Sequence, residues 1–143
     1  MPGSREHRLV LQSRFEEVAR AEDAVLRQVA ERGFDQTALF AIKLSLEEAL
    51  TNAIKHGNRF DPHKQVVLTF DVDDRRARMT VCDEGAGFRP QTVPDPTLDE
   101  NLEKPHGRGI MLLRAYMTEV RYSDCGRCLT MIKKRNCRLP ETS

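Results

Sequence analysis

Glu47-Glu48-Ala49-Leu50-Thr51-Asn52-Ala53-Ile54-Lys55-His56-Gly57-Asn58 is the stretch from which the fold is read. It has the look of the last turns of a helix that gathers a carboxylate, an amide, an ammonium and an imidazole. Glu48 and Asn52 are i and i+4, so they stack on one helix face. Lys55 and His56 follow Asn52 at i+3 and i+4. A carboxylate beside an amide oxygen suits a hard cation with phosphate. In isolation the same residues are an ordinary solvated helix face.

Upstream, Asp35 is placed to N-cap a helix that starts at Gln36 and runs to about His56. Leu39, Ile42, Leu46, Ala49 and Ala53 form its core stripe, and Gly57 is expected to end it. Asn52 and Glu48 lie beside that stripe, at the border between core and water. Before it, apolar residues at Phe15, Val18, Val25, Leu26 and Val29 predict a first helix, stopped at Gly33. Residues 8–12 predict a short opening strand.

Downstream, residues 65–73 and 77–82 predict an antiparallel hairpin across the polar turn Asp73-Asp74-Arg75-Arg76. Residues 84–107 carry dense glycine and proline punctuation, and a loop this long usually serves a function. A helix is expected from Ile110 to Met117. Residues 119–124 and 128–135 then predict two closing strands around Gly126. The order β-α-α-β-β-loop-α-β-β implies a two-layer α+β sandwich with its helices on one face of a mixed, mostly antiparallel sheet.

Two further motifs follow strands or open helices. Asp83-Glu84-Gly85-Ala86-Gly87 leaves a strand end, where a carboxylate can accept an exocyclic amine. Glycines two apart let backbone approach a flat ring or a phosphate. His106-Gly107-Arg108-Gly109-Ile110 opens a helix, whose free N–H groups and positive dipole suit anionic phosphates. Arg108 adds a fixed positive fork. There is no Walker A loop and no dinucleotide fingerprint, and the protein-kinase signature set is absent.

Taken together and in this order, the three motifs resemble the gyrase, heat-shock chaperone, histidine kinase and MutL (GHKL) ATPase superfamily over about residues 8–135. Glu48, Asn52, Lys55 and His56 match its N-box helix. Asp83, Gly85 and Gly87 match the first glycine box, and Gly107 and Gly109 the second. Within that superfamily the wording at 48–58 and 107–113 is similar to the small anti-sigma-factor serine kinases.

The resemblance implies a Bergerat-type ATP-binding fold in a single domain, 1–143, with an ATP lid at about 88–106. It implies ATP and Mg²⁺ as cofactors. Asn52 would hold the metal, and Glu48 would act as catalytic base on a serine or threonine hydroxyl. Asp83 would accept the adenine amine beside Gly85 and Gly87. Gly107, Arg108, Gly109 and Ile110 would face the phosphates, with Lys55 or His56 nearby. The implied partners are a sigma factor and a small anti-sigma-factor antagonist, in a homodimer. Where members carry Gly-Thr near the last strand, this chain reads Gly126-Arg127-Cys128-Leu129-Thr130, with Cys128 or Thr130 as candidate replacements. An ATP-gated binding module without transfer is the alternative. A histidine-kinase catalytic domain is less well matched, because no histidine falls in the first helix.

Composition bounds the rest. The chain has 143 residues, 39% hydrophobic and 31% charged, which suits one soluble domain with a real core. With 23 basic and 22 acidic side chains the net charge is +1, which supplies no electrostatic case for nucleic acid or a membrane surface. No apolar run approaches the roughly 20 residues of a membrane span, and the N-terminal segment lacks a signal-peptide core. A cytoplasmic location is expected. Of the four cysteines, Cys125 and Cys128 have the spacing of a redox pair or half a zinc site. The plainer expectation is free thiols at all four positions, including Cys82 and Cys137.

Overall fold

The computed structural model describes residues 6–85, 116–123 and 126–135. It contains β1 (His7–Gln12), α1 (Glu16–Glu31), α2 (Gln36–Asn52), β2 (Gln65–Val72), β3 (Arg76–Cys82), β4 (Glu119–Ser123) and β5 (Cys128–Lys134). The five strands form one sheet in the order β1-β2-β3-β5-β4. All four neighbouring pairs are antiparallel, so the sheet of the described residues has no parallel component.

The core follows from alternation. Val66, Leu68, Phe70 and Val72 on β2, Ala77, Met79 and Val81 on β3, and Leu129 and Met131 on β5 all turn inward and are buried. Val18, Ala21, Val25 and Val29 of α1 and Ile42, Leu46, Ala49 and Leu50 of α2 cover them. Helical periodicity thus meets strand periodicity across one interface, and the two-layer α+β arrangement holds.

Helix ends follow their local chemistry. The Asp35 side chain accepts from the Ala38 amide at 2.8 Å, which N-caps α2. Gly33, left-handed at φ 83°, follows the end of α1. At its other end α2 departs from expectation. The α-helical geometry stops at Asn52, and Ala53–Gly57 continues as a wider π-helical turn. The Asn58 amide donates to the Ala53 carbonyl at 2.8 Å across that turn. Gly57 is not the left-handed residue; Arg59 and Phe60 are, at φ 54° and 59°.

The predicted strands and the first helix before residue 85 appear within one or two residues of their expected bounds, whereas α2 ends as an α-helix at Asn52, four residues before the expected His56. The expected lid at 88–106 and the helix from Ile110 lie mostly or wholly outside the described residues. The expectation of four free thiols is corrected. Cys82 and Cys128 are bonded to each other, so Cys128 is not paired with Cys125 as a redox or zinc motif. The two stand directly opposite in the β3–β5 register, and strand pairing brought them together where sequence spacing gave no hint. Cys125 and Cys137 lie outside the described residues. No cluster of metal-ligating side chains occurs among the described residues.

Candidate functional site

The end of α2, its π turn, the segment up to Lys64 and the ends of β3 and β5 enclose a cleft of about 910 Å³. That is within the size range of small-molecule and cofactor sites. Asn52, His56 and Asp83 all line it, so three residues from two separated motifs meet in one place. Glu48 is half-buried one turn before Asn52 on α2, and Lys55 is exposed; neither lines the cleft. Gly85 stands at its edge, beyond Asp83. Gly87, Gly107, Arg108, Gly109 and Ile110 lie outside the described residues.

Two glycines make the cleft wall thin. A β-carbon on Gly57 would collide with the Asp83 carboxylate, and one on Gly85 would collide with the Gly57 carbonyl oxygen. The helix end and the strand end can touch only because both positions lack side chains. Gly57 therefore matters for close approach, not for its φ.

Asp83 is half-buried, and burial raises its pKa. The Gly85 amide, donating to its Oδ1 at 2.8 Å, pulls the other way, as do Arg127 and then Lys64. The result is a carboxyl held at a strand end with acceptor capacity facing a cleft. The His56 pKa is lowered, by its partial burial first and then by the neighbouring Lys55 ammonium. Its imidazole is favoured in the neutral form.

Adjacent carboxylates on α2 part company in space. Glu47 is exposed and acts electrostatically on Glu22 of α1. Glu48 shares its face with Asn52.

Several cleft residues were not singled out from sequence. Asn58 is 1% exposed. Its Nδ2 donates to Ser13 Oγ at 2.9 Å and to the Gln65 carbonyl at 3.0 Å, and its Oδ1 accepts from the Glu84 amide at 2.8 Å. One side chain thus ties the segment after β1, the start of β2 and the exit of β3 together. Arg127 lines the cleft; its Nε donates to the Gly85 carbonyl at 2.9 Å, and its own carbonyl accepts from the Asp83 amide at 2.9 Å. A polar residue after His-Gly, and the Gly126-Arg127 turn, were the available signals. Nothing local distinguishes a buried asparagine from a solvated one. Cys128 and Thr130 do not replace the missing threonine at the cleft. Cys128 is bonded to Cys82, and Thr130 meets Thr80 at 3.0 Å on the outer sheet face.

A two-layer α+β domain with a cleft between a helix end and a strand-end glycine turn defines a class of nucleotide-binding fold. The chain belongs to the histidine kinase-like ATPase domain family, whose model matches residues 11–133. It is 32% identical over 109 residues to the serine-protein kinase RsbW of Bacillus subtilis (strain 168), covering 69% of this chain and 66% of that protein. It is 30% identical over 122 residues to the anti-sigma F factor of Geobacillus kaustophilus (strain HTA426), covering 80% of each. Across relatives of these kinds the chain spans between 58% and 80% of their length. Among solved structures, the RsbU and RsbW domains of Rv1364c from Mycobacterium tuberculosis align with a TM-score of 0.62 at 17% identity. That alignment covers 92% of this chain and 31% of that one, and it bears on the fold alone. No helix among the described residues is long and apolar enough to cross a membrane.

Proposed function

We propose that this protein binds ATP in the cleft and transfers its γ-phosphoryl group to a serine or threonine of a small antagonist protein. It also acts as an anti-sigma factor, sequestering a sigma factor when that antagonist is phosphorylated or absent. The carrying observation is the meeting of Asn52, His56 and Asp83 in one cleft between α2 and β3. Similarity to proteins named anti-sigma F factor and serine-protein kinase RsbW supports a serine hydroxyl as acceptor and a sigma factor as client.

In this reading Asp83 accepts the exocyclic amine of adenine, and Gly57 and Gly85 allow the backbone to pack close to that carboxylate. The Asn52 amide oxygen fits the habit of Mg²⁺, which takes few protein ligands beside phosphate oxygens and water. The metal neutralises charge on the phosphates when bound. Glu48, a turn before Asn52, takes the proton of the attacking hydroxyl, a contribution of about 10²–10⁴-fold. The resemblance assigns Gly107, Arg108, Gly109 and Ile110 to the phosphates and residues 88–106 to a lid, all outside the described residues. Cytoplasmic location and a homodimer belong to the same reading.

ATP-gated partner binding without transfer draws on one observation: Glu48 does not line the cleft formed by the described residues. Radiolabelled ATP with Mg²⁺ and the cognate antagonist separates the two. Wild type should label a serine or threonine, and Glu48→Ala should bind ATP normally yet lose transfer by at least about 10²-fold. Equal transfer by Glu48→Ala would remove Glu48 from the chemistry.

A further inference from the structure

Cys82 and Cys128 are opposite residues of β3 and β5, and the bond between them joins positions 46 apart in sequence. Both are half-buried rather than sealed in the core. They share the outer face of the sheet with Thr80 and Thr130, whose hydroxyls meet at 3.0 Å. Their cross-strand neighbours in the same row are Val67 on β2 and Ser123 on β4. The flanking residues turn the other way. Val81, Asp83, Arg127 and Leu129 all line the cleft. A covalent bond reachable from one face of the sheet thus clamps the residues that build the cleft on the other.

We propose that Cys82–Cys128 is a reversible thiol–disulfide modification site, with small thiols and small disulfides as its reactants, that sets how firmly the cleft wall is held. The inference rests on the nucleotide reading given above. In reduction, one small thiolate attacks a cysteine sulfur and the partner cysteine leaves as a thiolate, which takes up a proton. A second small thiolate attacks the mixed disulfide, frees the remaining cysteine and departs as a small disulfide. Re-formation runs the same exchange backwards, with two electrons passing from the cysteine pair to the small disulfide.

The consequence for ligand follows from what remains after reduction. The β3–β5 ladder and the Asn58 bond to the Glu84 amide persist, and at the strand ends Asp83 and Arg127 keep the Asp83 amide to Arg127 carbonyl bond and the Arg127 Nε to Gly85 carbonyl bond. The Arg127 Nε bond is only partly buried and open to competition from water. Asp83 and Arg127 gain freedom that nucleotide binding must remove. Ordering one or two such side chains weakens affinity by roughly two- to tenfold. The oxidised protein is therefore the tighter binder.

The test uses the full chain and a variant carrying Cys125→Ser and Cys137→Ser, each equilibrated with reduced or oxidised glutathione. Alkylation and mass spectrometry read the state of Cys82 and Cys128, and titration of a fluorescent ATP analogue reads the cleft. The expected result is a pair that opens and closes with the glutathione ratio, and binding that is tighter when it is closed. A Cys128→Ser variant should bind like the reduced protein at every ratio. A pair that stays closed in excess reduced glutathione overturns the proposal, and so does equal affinity in both states. Absence of binding in both states overturns the nucleotide reading itself, which the alkylation pattern distinguishes from failure of the redox site.

Discussion

Replacing Asn58 by alanine removes one side chain and leaves three groups each short of a partner: the Glu84 amide, the Gln65 carbonyl and the Ser13 hydroxyl. The three hydrogen bonds measure 2.8, 3.0 and 2.9 Å, and the side chain is 1% exposed. Leaving a buried polar group without its partner costs about 1–3 kcal/mol. Two of these bonds are only partly buried, so water can reach the orphaned groups and the low end applies. The sum is about 3 kcal/mol, a large share of the roughly 5–15 kcal/mol that holds a domain folded. Urea unfolding followed by circular dichroism reads it directly. Asn58→Asp supplies an internal check. It keeps an acceptor for the Glu84 amide, loses both donations and buries a charge, so it should cost at least as much at neutral pH. The loss should shrink in acid, where the protonated carboxyl can donate again. An Asn58→Ala shift below about 1 kcal/mol would refute the view that this residue ties three segments together.

Other expectations follow from the same geometry. Gly57→Ala would normally gain up to about 1 kcal/mol of helix propensity. Here it should destabilise by about 1–3 kcal/mol, because the new methyl meets the Asp83 carboxylate; thermal unfolding gives the sign. Glu22 is 7% exposed, its Oε2 lacks a hydrogen-bond partner, and its pKa is raised, by burial first, with Lys43 opposing and Glu47 adding to the rise. A raised carboxyl pKa means a stability contribution present in acid and lost as pH climbs through the folded-state value. Glu22→Gln should therefore stabilise by about 1 kcal/mol at neutral pH. The gain should vanish below the ordinary glutamate range, as denaturation across pH would show.

Elements with strong local signals were legible in the sequence. Inward alternation on β2 and β3, the Asp35 cap and the Gly33 stop depend on neighbours in the chain, and each appears where its chemistry places it. The placing of Asn52 and Glu48 at the border of core and water also came from periodicity alone. What escaped depends on contacts distant in sequence. β5 lies between β3 and β4 because Leu129 and Met131 join the inward face, while the more polar β4 takes the edge. That choice has no local mark. The burial of Asn58 and the bonding of Cys82 to Cys128 arise only when β1, β2, β3 and β5 are assembled. The π turn that brings Gly57 against Asp83 likewise has no periodicity of its own.

Asp83 carries the central claim, that the cleft between α2 and the end of β3 is an adenine-nucleotide site. Asp83→Asn keeps the side-chain oxygen that accepts from the Gly85 amide and removes the charge that burial disfavours. The fold should hold or gain slightly, while acceptance of the adenine amine is lost. Calorimetric titration of ATP with Mg²⁺ into wild type and Asp83→Asn reads this directly. The account predicts one-to-one binding by wild type and an affinity at least about tenfold weaker in the variant, as for loss of a hydrogen bond to a charged group. No binding by wild type, or equal binding by a folded Asp83→Asn protein, would contradict it.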